Sequence, residues 1–133
     1  MTKSTTPAEA KTIVTDFLMS WGGRDIDRIM SFFAPNAVYH NVPVAPIEGT
    51  KAIREIFVAF LDAFETIALD IVTIAGETDL VLAERVDRFT LKNGGKYFEL
   101  PVNGVFELKD GKIHRFSDYF DLQTFESRSG FKL

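Results

Sequence analysis

Residues 80–89, LVLAERVDRF, read as a β-strand in which Val81, Ala83, Arg85, Asp87 and Phe89 share one face. Three of those five side chains are apolar, so the face is built for burial, yet it carries an arginine and an aspartate two positions apart. Those two charges bear on function, and the strand itself bears on fold class.

Outward from this strand, β runs over residues 67–75, 80–91, 96–108 and 113–121 are separated by GETD, KNGGK and KDGK, the last two with hairpin chemistry. Helical patterns precede them. Thr6, Pro7 and Glu9 form a capping-box start for a helix with the stripe Ile13, Val14, Phe17, Leu18 and Trp21, ending at Gly22 and Gly23. Asp25 caps a second helix with Ile26, Ile29, Met30 and Phe33 on one side. A short strand over residues 37–41 runs into a loop kept irregular by Pro43 and Pro46, and Thr50 opens a third helix through Phe64. Helices first and antiparallel strands after predict an α+β fold, with the helices packed on one face of a curved sheet that encloses a pocket. Residues 1–133 are read as one domain, long enough for a real core.

Composition restricts the partners. A net charge of −4 argues against nucleic acid and against an anionic membrane surface. The chain has no cysteine, which excludes disulfides, thiol catalysis and thiolate metal sites. The N-terminal MTKSTTPAEAK has no apolar run after its lysine, and no stretch approaches the ~20 apolar residues of a membrane span, so a cytoplasmic protein is expected. Of 133 residues, 13 are Phe, which suits either a thick core or an apolar pocket wall.

A second misplaced charge follows from parity. In HRFSDYFDL, residues 114–122, His114, Phe116, Asp118, Phe120 and Leu122 share a face, whereas Arg115, Ser117, Tyr119 and Asp121 form the wet one. An inward carboxylate between phenylalanines must protonate or find a cation. Arg85 is the obvious cation, and a line of Asp87, Arg85 and Asp118 is expected if both strands face one cavity. Spacing alone leaves open a structural salt-bridge network or charges at a solvated edge.

Tyr39 and Asn41 share the face of Ala37, which suits lining, although packing and turn formation explain them equally well. His40 falls on the opposite face and is read as structural or solvated, as is His114 near the start of its strand. Neither histidine has ligand spacing with another His or a Cys, so neither a metal nor a cofactor is expected, and NGG at 93–95 is a turn rather than a phosphate loop.

YHNVP at 39–43, ERVD at 84–87, NGVFEL at 103–108 and DYFDL at 118–122 together resemble the limonene epoxide hydrolase family, in one order and with similar gaps. That family is a branch of the cone-shaped, SnoaL-like fold shared with nuclear transport factor 2 and ketosteroid isomerase. The resemblance runs from the first helix to about Phe125. It implies a cone-shaped, curved mixed sheet wrapped round the N-terminal helices, and direct attack of water on a lipophilic epoxide. In that scheme Asp118 is the general base, Asp87 the protonated general acid, Arg85 the holder of both, and Tyr39 and Asn41 position the water with Asp118. It also implies a homodimer formed through the outer sheet face. Two positions depart from the family pattern: Phe116 stands where a tryptophan is expected and Ser117 where a basic residue is.

The chemistry needs these residue types in its own right. Epoxide opening by water takes one proton from the nucleophile and gives another to the departing oxygen. Two carboxylates around one guanidinium can share a single proton and divide those tasks. Two other classes remain open. An isomerase or polyketide cyclase would use one carboxylate beside a carbonyl and leaves Asn41 without a task; a non-catalytic binding module leaves Asp118 between phenylalanines unexplained.

Overall fold

The computed structural model describes residues 3–93 and 95–133; Met1 and Thr2 of the N-terminal stretch and Gly94 of the KNGGK turn lie outside the described residues. Helices α1 (Pro7–Ser20), α2 (Ile26–Met30) and α3 (Thr50–Ala63) come before most of the strands, and α4 (Leu122–Ser129) comes after them. The strands are β1 (Phe33–Asn41), β2 (Ile47–Glu48), β3 (Phe64–Glu77), β4 (Leu80–Leu91), β5 (Tyr97–Lys109) and β6 (Lys112–Tyr119). They form one unclosed sheet in the order β2-β1-β6-β5-β4-β3. β1 and β6 run parallel and the other pairs antiparallel, which makes the sheet mixed.

Local chemistry sets the helix ends. Thr6 Oγ1 accepts from the Glu9 N–H at 3.1 Å while Glu9 Oε1 accepts from the Thr6 N–H at 3.0 Å, closing the expected capping box. The Asp25 carboxylate accepts from the N–H groups of Asp27 and Arg28 and starts α2. No basic residue lies in the last turn of α3. Arg24, in the left-handed region at φ 58°, serves instead, donating to the carbonyls of Leu61 at 2.5 Å, Phe64 at 2.8 Å and Glu65 at 2.7 Å. One guanidinium thus satisfies orphan helix-end carbonyls and ties the loop after α1 to the start of β3.

The parity reading of β4 holds: Val81, Ala83, Arg85, Asp87 and Phe89 are all buried. Their face meets the helices through an aromatic core. Phe17 of α1 lies edge-on to Phe33 at 5.3 Å, Phe116 at 5.5 Å and Phe106 at 6.2 Å, and such pairs contribute roughly 0.5–1.5 kcal/mol each beyond their burial.

Several features differ from expectation. Phe33 opens β1 instead of flanking α2, and Phe64 opens β3 instead of closing α3. Both remain buried against the same core, because an apolar residue at a helix-to-strand junction fits either period. The two-residue β2 sits in the loop expected to be irregular. The last strand ends at Tyr119, and Asp121 is not a wet strand residue but the cap of α4, accepting from the Thr124 N–H at 2.8 Å. α4 lays Phe125 over Phe64, Phe89 and Phe98 at ring distances of 6.4 to 6.5 Å. Among the described residues no helix is long and apolar enough to cross a membrane.

Candidate active site

Three strands bring the predicted polar residues together on the concave face of the sheet. β1 supplies Tyr39 and Asn41, β4 supplies Arg85 and Asp87, and β6 supplies Asp118. The parallel register places Asn41 opposite Asp118 and Tyr39 opposite Phe116. All five are at least nine-tenths buried.

Arg85 is the hub. Its Nε and Nη2 donate to the two oxygens of Asp87 at 3.0 and 2.9 Å, and its Nη1 and Nη2 donate to the two oxygens of Asp118 at 2.9 Å each. Both contacts are bidentate, the geometry a planar guanidinium provides and an ammonium does not. The Arg85 guanidinium also lies 5.8 Å from the centre of the Phe116 ring, which is stacked on Phe106 at 4.5 Å. Phe116, in place of a tryptophan, is therefore the floor under the guanidinium, and it gives the site an apolar base with no donor of its own.

Gly104 makes this reach possible. Arg85 on β4 must cross β5 to meet Asp118 on β6, and Gly104 pairs with Ala83 on one side and Asp118 on the other. A Cβ at Gly104 would stand 2.5 Å from Arg85 Nη1 and 2.9 Å from Asp118 Oδ1. Sequence reading passed over Gly104; its signal was a glycine at an inward position of a strand otherwise carrying Leu100, Val102, Phe106 and Leu108.

Burial raises the Asp118 carboxyl above its ordinary range, and the attraction of Arg85 pulls against that rise. Burial opposes the charge on Arg85 as well, but the two carboxylates outweigh it and hold the guanidinium well above its usual value. The trio therefore sets a fixed positive charge between two acids, of which Asp118 holds a proton more readily than an ordinary aspartate. Tyr39 stays neutral: burial, then the negative charge of Asp118, push its phenol well above the usual value. Its OH donates to Asn41 Oδ1 at 2.8 Å, so that amide oxygen is engaged and the amide's N–H groups are donors only.

The surrounding concavity holds about 540 Å³ of unfilled space, its open mouth included. Phe57, Phe60, Phe64, Phe89, Phe120 and Phe125 line it, while Phe17, Phe33 and Phe106 belong to the core behind. The phenylalanines thus serve both purposes that composition suggested. Trp21, expected only as a helix-stripe residue, is part of the wall, and so is Leu133. His40 lies outside, its Nε2 2.8 Å from the Val44 carbonyl, and His114 is half-buried beyond the site. Ser117, expected on the wet face, is buried between His40 and Val105 on the neighbouring strands, with Arg115 Nε donating to its hydroxyl at 3.1 Å. Among the described residues no group of three or more His, Asp or Glu is arranged to hold a metal.

Solved structures place this architecture among known proteins. An LEH-like epoxide hydrolase of M. tuberculosis is 27% identical and superposes with a TM-score of 0.80, covering 92% of this chain and 90% of its own. A proposed polyketide cyclase of Xanthomonas campestris, at 23% identity, has a TM-score of 0.82 over 94% and 99% of the two chains. A Catenulispora acidiphila protein with a ketosteroid isomerase-like fold, also at 23%, has a TM-score of 0.79 over 96% and 95%. The last two speak for the shared fold and not for a shared reaction. Residues 8–129 match the limonene-1,2-epoxide hydrolase catalytic domain, and the chain belongs to that family.

Proposed function

We propose that the protein is a cofactor-independent epoxide hydrolase that opens a lipophilic epoxide to a vicinal trans diol. The observation that carries this reading is the double bidentate grip of Arg85 on Asp87 and Asp118 inside an apolar pocket. Asp118 removes a proton from a water that Asn41 and Tyr39 hold beside it. The water oxygen forms a bond to one epoxide carbon as the C–O bond breaks, and Asp87, protonated, gives its proton to the departing oxygen. After one turnover the two acids have exchanged protonation state, and the net charge of the trio is unchanged. Each half of the cycle thus avoids leaving a second uncompensated charge in a site that desolvates it. An isomerase or cyclase needs one carboxylate and an enolate-oxygen donor, and gives neither the second acid nor Asn41 a task.

The reading includes a cytoplasmic homodimer joined through the outer sheet face, where Val72 and Leu82 are exposed. The decisive experiment is a single turnover with excess enzyme in ¹⁸O-labelled water, after a panel of cyclic and aryl epoxides has been screened for diol. Direct attack puts a solvent oxygen in the first diol and inverts the attacked carbon. An unlabelled first product would mean that a carboxylate attacks carbon instead. Failure of the whole panel to give diol would overturn the hydrolase reading.

A further inference from the structure

Glu126 of α4 lies outside the polar cluster, yet it fastens part of the pocket wall. After α4 the chain turns at Gly130, in the left-handed region at φ 72°, whose N–H donates to the Glu126 carbonyl at 2.8 Å. That turn brings residues 131–133 back against the helix they have just left. The Leu133 N–H donates to Glu126 Oε2 at 3.1 Å, seven residues back, and Lys132 Nζ lies 3.6 Å from Glu126 Oε1. The Phe131 N–H donates to Ser129 Oγ at 2.9 Å. Leu133 is a wall residue of the pocket, and the Phe131 ring lies 5.4 Å from that of Phe60, another wall residue.

The fastening is one-sided. Among the described residues every hydrogen bond of residues 131–133 goes to Glu126 or Ser129 of α4, and none goes to the sheet or to α1–α3. Phe131 also packs on the rings of Phe64 and Phe125, but such apolar contact is non-directional and does not place Leu133 two residues further on. Of the two partners of the Glu126 carboxylate, the backbone one dominates. Lys132 is 76% exposed, so its charge is screened and the pair contributes little, whereas the Glu126 side chain is only 21% exposed and accepts a charge-assisted bond from the Leu133 N–H.

We propose that Glu126 is a positioning residue for substrate choice: by gripping the Leu133 N–H it keeps Leu133 in the wall and sets a size limit on that side of the pocket, favouring compact epoxides over those that carry a longer chain. This inference rests on the epoxide hydrolase reading for the reaction, and concerns which epoxides fit.

The test measures heats of binding of cyclohexanol and 4-butylcyclohexanol, whose hydroxyl takes the place of the epoxide oxygen and which cannot be hydrolysed. The ratio of the two affinities is the readout. Glu126→Met keeps the stem and the helix propensity but removes the acceptor, and is expected to shift that ratio toward the butyl compound by about three- to tenfold, the effect of one or two methylenes finding room. Leu133→Ala should shift it equally and the double variant no further, because both changes open the same place. Glu126→Gln keeps an oxygen for the Leu133 N–H and should hold the ratio within about twofold of the unmodified protein, as should Lys132→Ala. A ratio unmoved in Glu126→Met or in Leu133→Ala, shifts that add in the double variant, or a Glu126→Gln protein that behaves like Glu126→Met would overturn the assignment. In the unmodified protein the Leu133 N–H should also exchange with deuterated solvent more slowly than the Lys132 N–H, which has no partner among the described residues, and equal exchange would overturn it however the variants fold. Because the probes are not epoxides, these outcomes are separate from a failure to form diol, which would count against the reaction instead.

Discussion

Arg85 crosses β5 directly over Gly104, and a single added carbon at Gly104 would collide with its Nη1 at 2.5 Å. The two hydrogen bonds from Arg85 to Asp118 depend on that bare stretch of backbone. Gly104→Ala is expected to lower kcat/KM by about 10²-fold, the scale set by misplacing catalytic groups by about an ångström, and to displace the guanidinium from Asp118 in a crystal structure. Steady-state kinetics on a soluble epoxide, with circular dichroism to verify folding, checks it. Near-normal turnover would show that Arg85 need not touch Asp118.

Asp118→Asn and Asp87→Asn should each reduce turnover by at least about 10²-fold while the protein stays folded, since an amide matches the carboxylate in shape but neither accepts nor gives up the required proton. Both variants keep one carboxylate on Arg85. Retention of most activity in Asp118→Asn would require another base.

Arg85→Ala should be inactive and destabilised by roughly 3–5 kcal/mol, because two buried carboxylates lose the cation that both rely on. Urea denaturation measures it. Arg85→Lys should recover part of the stability and little of the activity, since a point charge cannot reproduce two bidentate contacts.

The raised Asp118 carboxyl sets the direction of the pH dependence. The base works ionised, so kcat/KM should fall as pH drops through a pKa above that of an ordinary aspartate. Stability takes the opposite sign. A carboxyl raised in the folded state binds its proton more tightly there than when unfolded, so its stabilising effect is complete below the unfolded value, near ~3.9, and is lost as pH rises through the folded one. Asp118→Asn should flatten that part of the stability profile. Paired kinetic and denaturation profiles of the two proteins test both signs.

Sequence parity made much of the site legible. Period-two alternation placed Arg85, Asp87 and Asp118 inward, and the structure gathers them with Tyr39 and Asn41 on one concave face. The hub role of Arg85 needed no more than an inward cation between inward acids. Gly104 was missed because a glycine advertises nothing until the side chain that crosses it is known. Ser117 was assigned to solvent because parity identifies a face but not what covers it, and here Arg115 folds back over it. α4 escaped notice because Asp121 sits where a strand's polar face would place it, although an Asp three residues before Thr124 is also a cap. β1 began earlier than expected because Pro35 stands inside it, at an irregularity between Phe33 and Val38 where a ladder hydrogen bond is not demanded.

The parallel pairing of β1 with β6 joins the first strand of the chain to the last. Between Asn41 and Asp118 the chain makes α3 and four strands, β2 to β5, so the pocket depends on contacts of long sequence separation, the kind that forms slowly in folding. A chain emerging from the ribosome has Tyr39, Asn41, Arg85 and Asp87 before it has Asp118, and through that interval Arg85 has only one of its two acids. Arg85 meets its second carboxylate only where β6 lies between β1 and β5, so the complete polar cluster requires the last strand in its native register.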